Sequence, residues 1–226
     1  MTVGFDLISD LNLTPDDSFN WGGKAESLYC LIAGNISNDL ATIRQTLTHL
    51  SHFYQGVFYT SGTLEYENVD DLHERDAELA AACDGIKNVS LLYNHVVIID
   101  GIAILGANGW YGPYADNQIS REIKQTEDVS YLGKSIERLQ LHNDVKKIIL
   151  VTHSVPNPEL YFGEEDMAVY DQMPPALCLA CDTMKKVSHW VYGNYNKTVD
   201  TTINQINYVN NARYDRLPYY GKRINA

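Results

Sequence analysis

Short apolar runs recur along this chain, and each stops abruptly at a cluster of small or polar residues. Phe5 to Ser9 leads into Ile8-Ser9-Asp10-Leu11-Asn12. Leu28 to Ala33 leads into Ala33-Gly34-Asn35-Ile36-Ser37-Asn38, and Val57 to Thr60 into Thr60-Ser61-Gly62-Thr63-Leu64-Glu65-Tyr66. Later, Lys147 to Thr152 ends in His153-Ser154-Val155-Pro156, and His189 to Tyr192 ends in Gly193-Asn194-Tyr195-Asn196. Apolar runs of this length bounded by turn residues read as buried strands. In open α/β sheets ligands bind outside the carboxyl ends of the strands. Clusters at such ends are therefore expected to converge on one crevice.

The segments between these runs carry the helices. Asn38 or Asp39 can cap a helix reaching about Tyr54, with Leu40, Ile43, Leu47 and Leu50 at helical spacing and Gly56 as its stop. Asp70 or Asp71 caps a second, reaching about Cys83. Val89 to Leu92 and His95 to Ile99 flank a tight Tyr93-Asn94 corner. Asp100-Gly101 then turns the chain into Ile102 to Leu105, a hairpin signal. Residues 113–145 read as one or two helices, 154–173 as loop, and Pro174-Pro175 as the start of a helix to about Lys186. Thr201 to Val209 alternates like an edge strand, and Leu217 to Ala226 reads as a tail. This order predicts an α/β layered fold with a mixed sheet core, built as one domain over 1–226.

Composition narrows the function classes. The chain has 226 residues, 45% hydrophobic and 20% charged, which excludes disorder, collagen and coiled coil. No apolar run approaches a membrane span. MTVGFDLISD has no basic start, and Asp6 and Asp10 interrupt it, so neither a signal peptide nor a transmembrane segment is expected. The net charge of −12 repels phosphate backbones, which disfavours duplex nucleic acid as a partner. Cys30, Cys83, Cys178 and Cys181 are too few for a disulfide scaffold, and Cys178-Leu-Ala-Cys181 lacks the second pair a structural zinc needs. That pair reads as two buried apolar side chains on a helix, and a reducing, cytoplasmic location is expected. The 16 tyrosines fit loop packing or contact surfaces.

Five of the strand-end segments resemble the motifs of the calcineurin-like metallophosphoesterases, a family that includes nucleases of the SbcD type and small phosphodiesterases. SDLNL stands where SDLHL is expected, LIAGNISND where LIAGDISND is expected, and YTSGTLEY where VPGNHEY is expected. ILVTHSVP matches well, and WVYGNYN stands for WVFGHTH. Gly106 to Tyr111 also resembles a Gly-Trp segment of several members. The resemblance spans roughly residues 5–196, with a C-terminal strand and tail over 197–226. It implies a metallophosphoesterase-like sandwich of mixed sheets flanked by helices, and it is compatible with a bacterial or phage source.

What the resemblance implies for chemistry is loss. Members hold two metal ions through carboxylate, imidazole and amide groups. Asp10 and His153 are retained as ligands. The first-motif histidine has become Asn12, the bridging aspartate Asn35, and the GNHE asparagine Thr63. The GHTH histidines have become Asn194 and Asn196. The third-motif histidine, which assists the leaving group, has become Leu64. Two cations about 4 Å apart need bridging anions between them, and a neutral amide is a weak substitute. Asparagine also replaces imidazole poorly as a transition-metal ligand, and Leu64 has no proton to give. No metal is expected, or at most one weakly held Mn or Mg ion at Asp10 and His153, with Glu65 or Asp39 assisting. The asparagines are expected to bond one another around Asp10 and His153 as a metal-free polar plug.

Other sites are weaker. Asp10, His153 and Ser154 form no triad, because no G-x-S-x-G elbow exists. Gly22-Gly23-Lys24 lacks P-loop spacing. The remaining histidines read as surface or core residues, and the triplets at Asn88 and Asn196 carry nothing without a secretory signal. Three functions follow in order of preference. The first is a pseudoenzyme that acts by binding a protein partner or another copy of itself. The second is a metal-dependent phosphoesterase with a reduced site, and the third a non-catalytic nucleotide-binding module.

Overall fold

The structure, a computed structural model, describes residues 2–110, 118–160, 184–213 and 218–226. Two mixed sheets pack face to face with helices outside. The first sheet has the order β11-β1-β2-β3-β4, where β1 is Gly4–Ile8, β2 Tyr29–Ala33, β3 Gly56–Thr60, β4 Val89–Leu91 and β11 Lys222–Asn225. The second has the order β5-β6-β7-β8-β10-β9, with β5 Val96–Ile99, β6 Ile102–Ala107, β7 Lys147–Thr152, β8 Val187–Tyr192, β9 Val199–Ile203 and β10 Ile206–Asn210. β1 to β4 run parallel, as do β6, β7, β8 and β10. The antiparallel strands β11, β5 and β9 lie at sheet edges.

Strand alternation explains the layering. Phe5 and Leu7, Leu31 and Ala33, Ile102 and Ile104, Ile149 and Val151 all point into the space between the sheets. Their neighbours Ile8, Cys30 and Ile32 face the other way, onto helices α1 (Leu40–Ser51) and α2 (Leu72–Cys83). Ala103, Leu105, Ile148 and Leu150 likewise meet α3 (Gln118–Leu141) through Leu132, Ile136 and Leu139. Strands buried on both faces must be apolar throughout, which is why the runs were legible. Asp39 caps α1 by accepting from Thr42 N at 2.7 Å, and Asp71 caps α2 by accepting from His73 N at 2.8 Å.

Several expectations need correction. Gly56 opens β3 rather than stopping α1, which ends at Ser51. The Tyr93-Asn94 corner hands the chain from one sheet to the other, since β4 pairs with β3 and β5 with β6. The Asp100-Gly101 turn, by contrast, is the two-residue hairpin expected, with both residues at positive φ (49° and 81°). Thr201 to Val209 is two strands, not one: Asn204 and Gln205, at φ 49° and 69°, fold β9 back onto β10. Asn-Gln lacks the glycine that usually marks such a turn. Only β9 is an edge, because β10 pairs with β8 on its other side. The C-terminal tail includes strand β11, which pairs with β1 and buries Ile224 and Ala226. One apolar residue in four was too little pattern to reveal it. Residues 113–145 hold one helix among the described residues. The helix expected at Pro174-Pro175 and the Cys178/Cys181 pair lie outside the described residues.

Candidate functional site

At the carboxyl ends of β1, β2, β3, β7 and β8, the polar clusters are tied to one another by hydrogen bonds. The first and second clusters are joined by Asp10 N to Gly34 O (3.0 Å) and Asn12 N to Asn35 O (3.0 Å). Second and fourth are joined by His153 Nδ1 and Ala33 O (2.9 Å). Gly193 N reaches Thr152 O (3.3 Å) and His153 O (3.1 Å), linking the fourth and fifth. The ring closes where Asn194 N donates to Asp10 Oδ2 at 3.1 Å and Oδ1 at 3.3 Å.

Close approach depends on glycine. A Cβ on Gly193 would sit 2.4 Å from Ala33 O and from Ser9 Oγ, and one on Gly62 would sit 2.4 Å from Asn35 Oδ1. Backbone strain is concentrated here as well. Asp10, Asn12, Asn35 and Asn194 have φ of 52°, 48°, 56° and 53°. Outside glycine, Asn and Asp are the residues that tolerate this left-handed region. The asparagines thus match the backbone these positions impose.

Asp10 is buried, and burial raises its carboxyl pKa, against the opposing pull of His153, Ser9, Asn194 and Asn35. Its oxygens accept from Ser9 Oγ, from Asn194 N, and from Asn35 Nδ2 at 3.2 Å. The Asn35 amide has only one workable orientation. Its Oδ1 accepts Leu64 N at 2.8 Å, and a peptide N–H can face only the oxygen. The NH2 group therefore points at Asp10.

The predicted asparagine network is narrower than expected. Asn35 enters it through its side chain. Asn12 is exposed and donates from Nδ2 to Asp10 O at 3.2 Å. Asn194 enters through its backbone, and Asn196 is exposed and not bonded into the ring. Thr63 and Leu64 are half-buried at the start of a short 3-10 turn, Leu64–Tyr66. His153 is fully buried, with Nδ1 on Ala33 O and Nε2 without a hydrogen-bond partner.

Glu65 is the residue whose role sequence reasoning missed. It is fully buried, and burial raises its pKa. It accepts from Ile36 N (2.7 Å), Gly62 N (2.8 Å), Asn35 N (3.1 Å) and the Tyr59 hydroxyl (2.9 Å). Those donors occupy both its oxygens, so it is unavailable as a metal ligand. Asp39, the other suggested helper, is committed to capping α1 through Thr42 N and Oγ1. Among the described residues, no group of three or more His, Cys, Asp or Glu side chains stands where it could hold a metal ion. The donor set does not fit a two-metal centre: it offers one carboxylate and one imidazole, and where the resemblance calls for a bridging carboxylate the Asn35 amide turns an N–H toward Asp10.

This pairing yields a direct expectation. Asn35→Asp would set a second carboxylate 3.2 Å from Asp10, replacing a hydrogen bond by like-charge contact in a buried place. A loss of about 2 kcal/mol is expected in urea titrations near neutral pH, shrinking on acidification as one carboxyl takes up a proton. An unchanged midpoint across pH would contradict this geometry.

Comparison with known proteins places the fold. No family model matches the chain, and no curated protein matches it in sequence. Solved structures do match. A phosphopantetheinyl hydrolase from Mycobacterium tuberculosis superposes with TM-score 0.62 at 16% identity, over 97% of this chain and 95% of that one. A Staphylococcus aureus protein provisionally assigned as a 5′-nucleotidase gives TM-score 0.57 at 10% identity, over 94% of this chain and 49% of that one. GAP50, the anchor in the inner membrane complex of Plasmodium, gives 0.56 at 12% identity, over 93% and 71%. The chain shares with these structures an α/β sandwich fold of two mixed sheets flanked by helices. Among the described residues no helix is long and apolar enough to cross a membrane.

Proposed function

We propose that this chain is a phosphoesterase-fold pseudoenzyme, which has given up two-metal hydrolysis and acts by binding a protein partner or another copy of itself. The observation that carries the reading is the amide of Asn35. It stands where the resemblance calls for a bridging carboxylate, and it donates to Asp10 at 3.2 Å. A cation at that point would compete with the N–H donors already on the Asp10 oxygens and would meet a neutral group opposite. Proton donation by the third motif is absent with Leu64. The fold neighbours are compatible with either outcome, since one is described as a hydrolase and another as an anchor.

Native mass spectrometry after incubation with excess Mn²⁺ tests the proposal. The expected result is no stoichiometric metal, together with phosphodiester turnover equal in the parent and in Asp10→Ala. Two bound ions per chain, or turnover lost in that variant, would overturn it.

One observation favours a second reading, a reduced one-metal phosphoesterase. The Nε2 of His153 is buried and has no hydrogen-bond partner, and Asp10 is its charged neighbour. A single Mn or Mg ion there would appear as one bound ion that His153→Ala removes.

A further inference from the structure

We infer that this chain forms a two-fold dimer by antiparallel pairing of β5 with β5 of a second copy. Such a dimer rests on the proposed reading of the chain as a binding protein, and it names the partner and the surface.

Among the described residues, β11 and β4 end the first sheet, and β5 and β9 end the second. An unpaired edge offers free peptide groups, and proteins blunt it with charge, brevity or a cover. β11 carries Lys222 and Arg223, and β9 carries Asp200. Lys222 Nζ meets Asp200 Oδ2 at 2.8 Å, so an ion pair spans that margin of the sandwich. At the other margin β4 is only three residues long. β5 is Val96-Val97-Ile98-Ile99, with no charge and no proline, and Ile98 is 49% exposed. Further exposed apolar side chains gather beside it. Tyr93 lies on the corner between β4 and β5, and Ile123 on α3 adjoins Lys124, whose Nζ bonds the Tyr93 hydroxyl at 3.1 Å.

The strand is its own complement. The two-residue hairpin closes on Ile99 and Ile102, so Ile99 and Val97 spend their peptide groups on β6. Val96 and Ile98 turn theirs outward. Run against itself about an axis at Val97, β5 sets Val96 of each copy opposite Ile98 of the other, with reciprocal peptide hydrogen bonds. The exposed Ile98 then covers the half-buried Val96 across the axis. The two Asp100 carboxylates are held at opposite ends of the pairing. Charge favours the same place: copies that each carry −12 approach with least repulsion along an uncharged edge. A foreign strand would have to bring the same uncharged run between polar ends, and a second copy already has it.

Sedimentation of the full chain from about 1 to 100 μM tests the inference. A monomer–dimer equilibrium is expected, with association at least tenfold weaker in Ile98→Lys. Tyr220→Ser, which removes an exposed ring just before β11 at the opposite margin, is expected to leave association unchanged. Circular dichroism establishes that both variants fold. Val97→Cys gives a second readout. On the axis it opposes two thiols at the ~4.5 Å Cα separation of a non-hydrogen-bonded pair, within disulfide reach. Oxidised glutathione is expected to convert this variant, and not the parent, into a covalent dimer. A monomer at about 100 μM would overturn the inference and leave the edge to a strand of a different protein. A dimer equally tight in Ile98→Lys, or no covalent dimer in Val97→Cys, would also overturn it. None of these results bears on manganese binding, so failure here is distinguishable from failure of the proposed function.

Discussion

Glu65→Ala is expected to yield no folded protein. The side chain is fully buried and accepts three peptide N–H groups and one phenol, from Asn35, Ile36, Gly62 and Tyr59. Alanine leaves all of these donors without an acceptor in a place water does not reach. Each orphaned donor costs about 1–3 kcal/mol, so the loss is roughly 4–12 kcal/mol before the cavity is counted. Total stability of a domain is about 5–15 kcal/mol. Expression into inclusion bodies, or loss of a cooperative urea transition, is the expected readout. Glu65→Gln keeps the shape and one acceptor oxygen but turns an NH2 toward backbone N–H groups, so an intermediate loss is expected. A Glu65→Ala protein that unfolds within about 1 kcal/mol of the parent would show that these bonds do not hold the second and third clusters together.

Asp128→Asn is expected to stabilise the protein above neutral pH. Asp128 is buried on α3, where it accepts Gly109 N at 2.9 Å. Its neighbour Lys124 is already paired with Asp76, which also takes the Tyr66 hydroxyl at 2.6 Å. The lysine is further bonded to the Tyr93 hydroxyl at 3.1 Å, and exposed Glu127 adds negative charge at 3.7 Å from it. One buried cation thus faces two buried carboxylates, and Asp128 is the surplus one. Burial pushes its pKa up to about 7 from an ordinary 3.8, against the lowering pull of the Gly109 amide and Lys124.

The fold therefore holds this proton more tightly than the unfolded chain does. Its contribution is full below pH 4, declines as pH rises toward 7, and levels off above that. A rise from 3.8 to about 7 corresponds to roughly 4 kcal/mol lost across that window. Asparagine has no proton to release and can still accept from Gly109. A gain of about 2–4 kcal/mol near pH 8, vanishing near pH 4, is expected in urea titrations. A variant that is less stable at both pH values would show that the carboxylate is needed as an anion by Lys124.

Much of the architecture was legible because it is written locally. Strands buried on both faces must be continuous apolar runs, so β1, β2, β3, β7 and β8 stood out. Asp39 and Asp71 cap helices through their own side chains, and Asp100-Gly101 closes a hairpin through its own backbone. The spacing of the clusters carried the resemblance to phosphoesterases, and that resemblance directed attention to Asn12, Asn35, Thr63, Leu64, Asn194 and Asn196.

Pairing across distance was decided only when the chain closed on itself. That β4 and β5 belong to different sheets, that β10 enters parallel to β8, and that β11 seals β1 depend on which faces remained to be covered. No local pattern encodes that choice. The same holds in the crevice. Residue type told which positions carry amides at the strand ends, but only the fold turned the Asn35 amide toward Asp10 and drew Glu65 beneath three peptide groups. Side-chain chemistry is a property of one residue, whereas the partner each group must satisfy is set by burial, and burial exists only once the sheets have met.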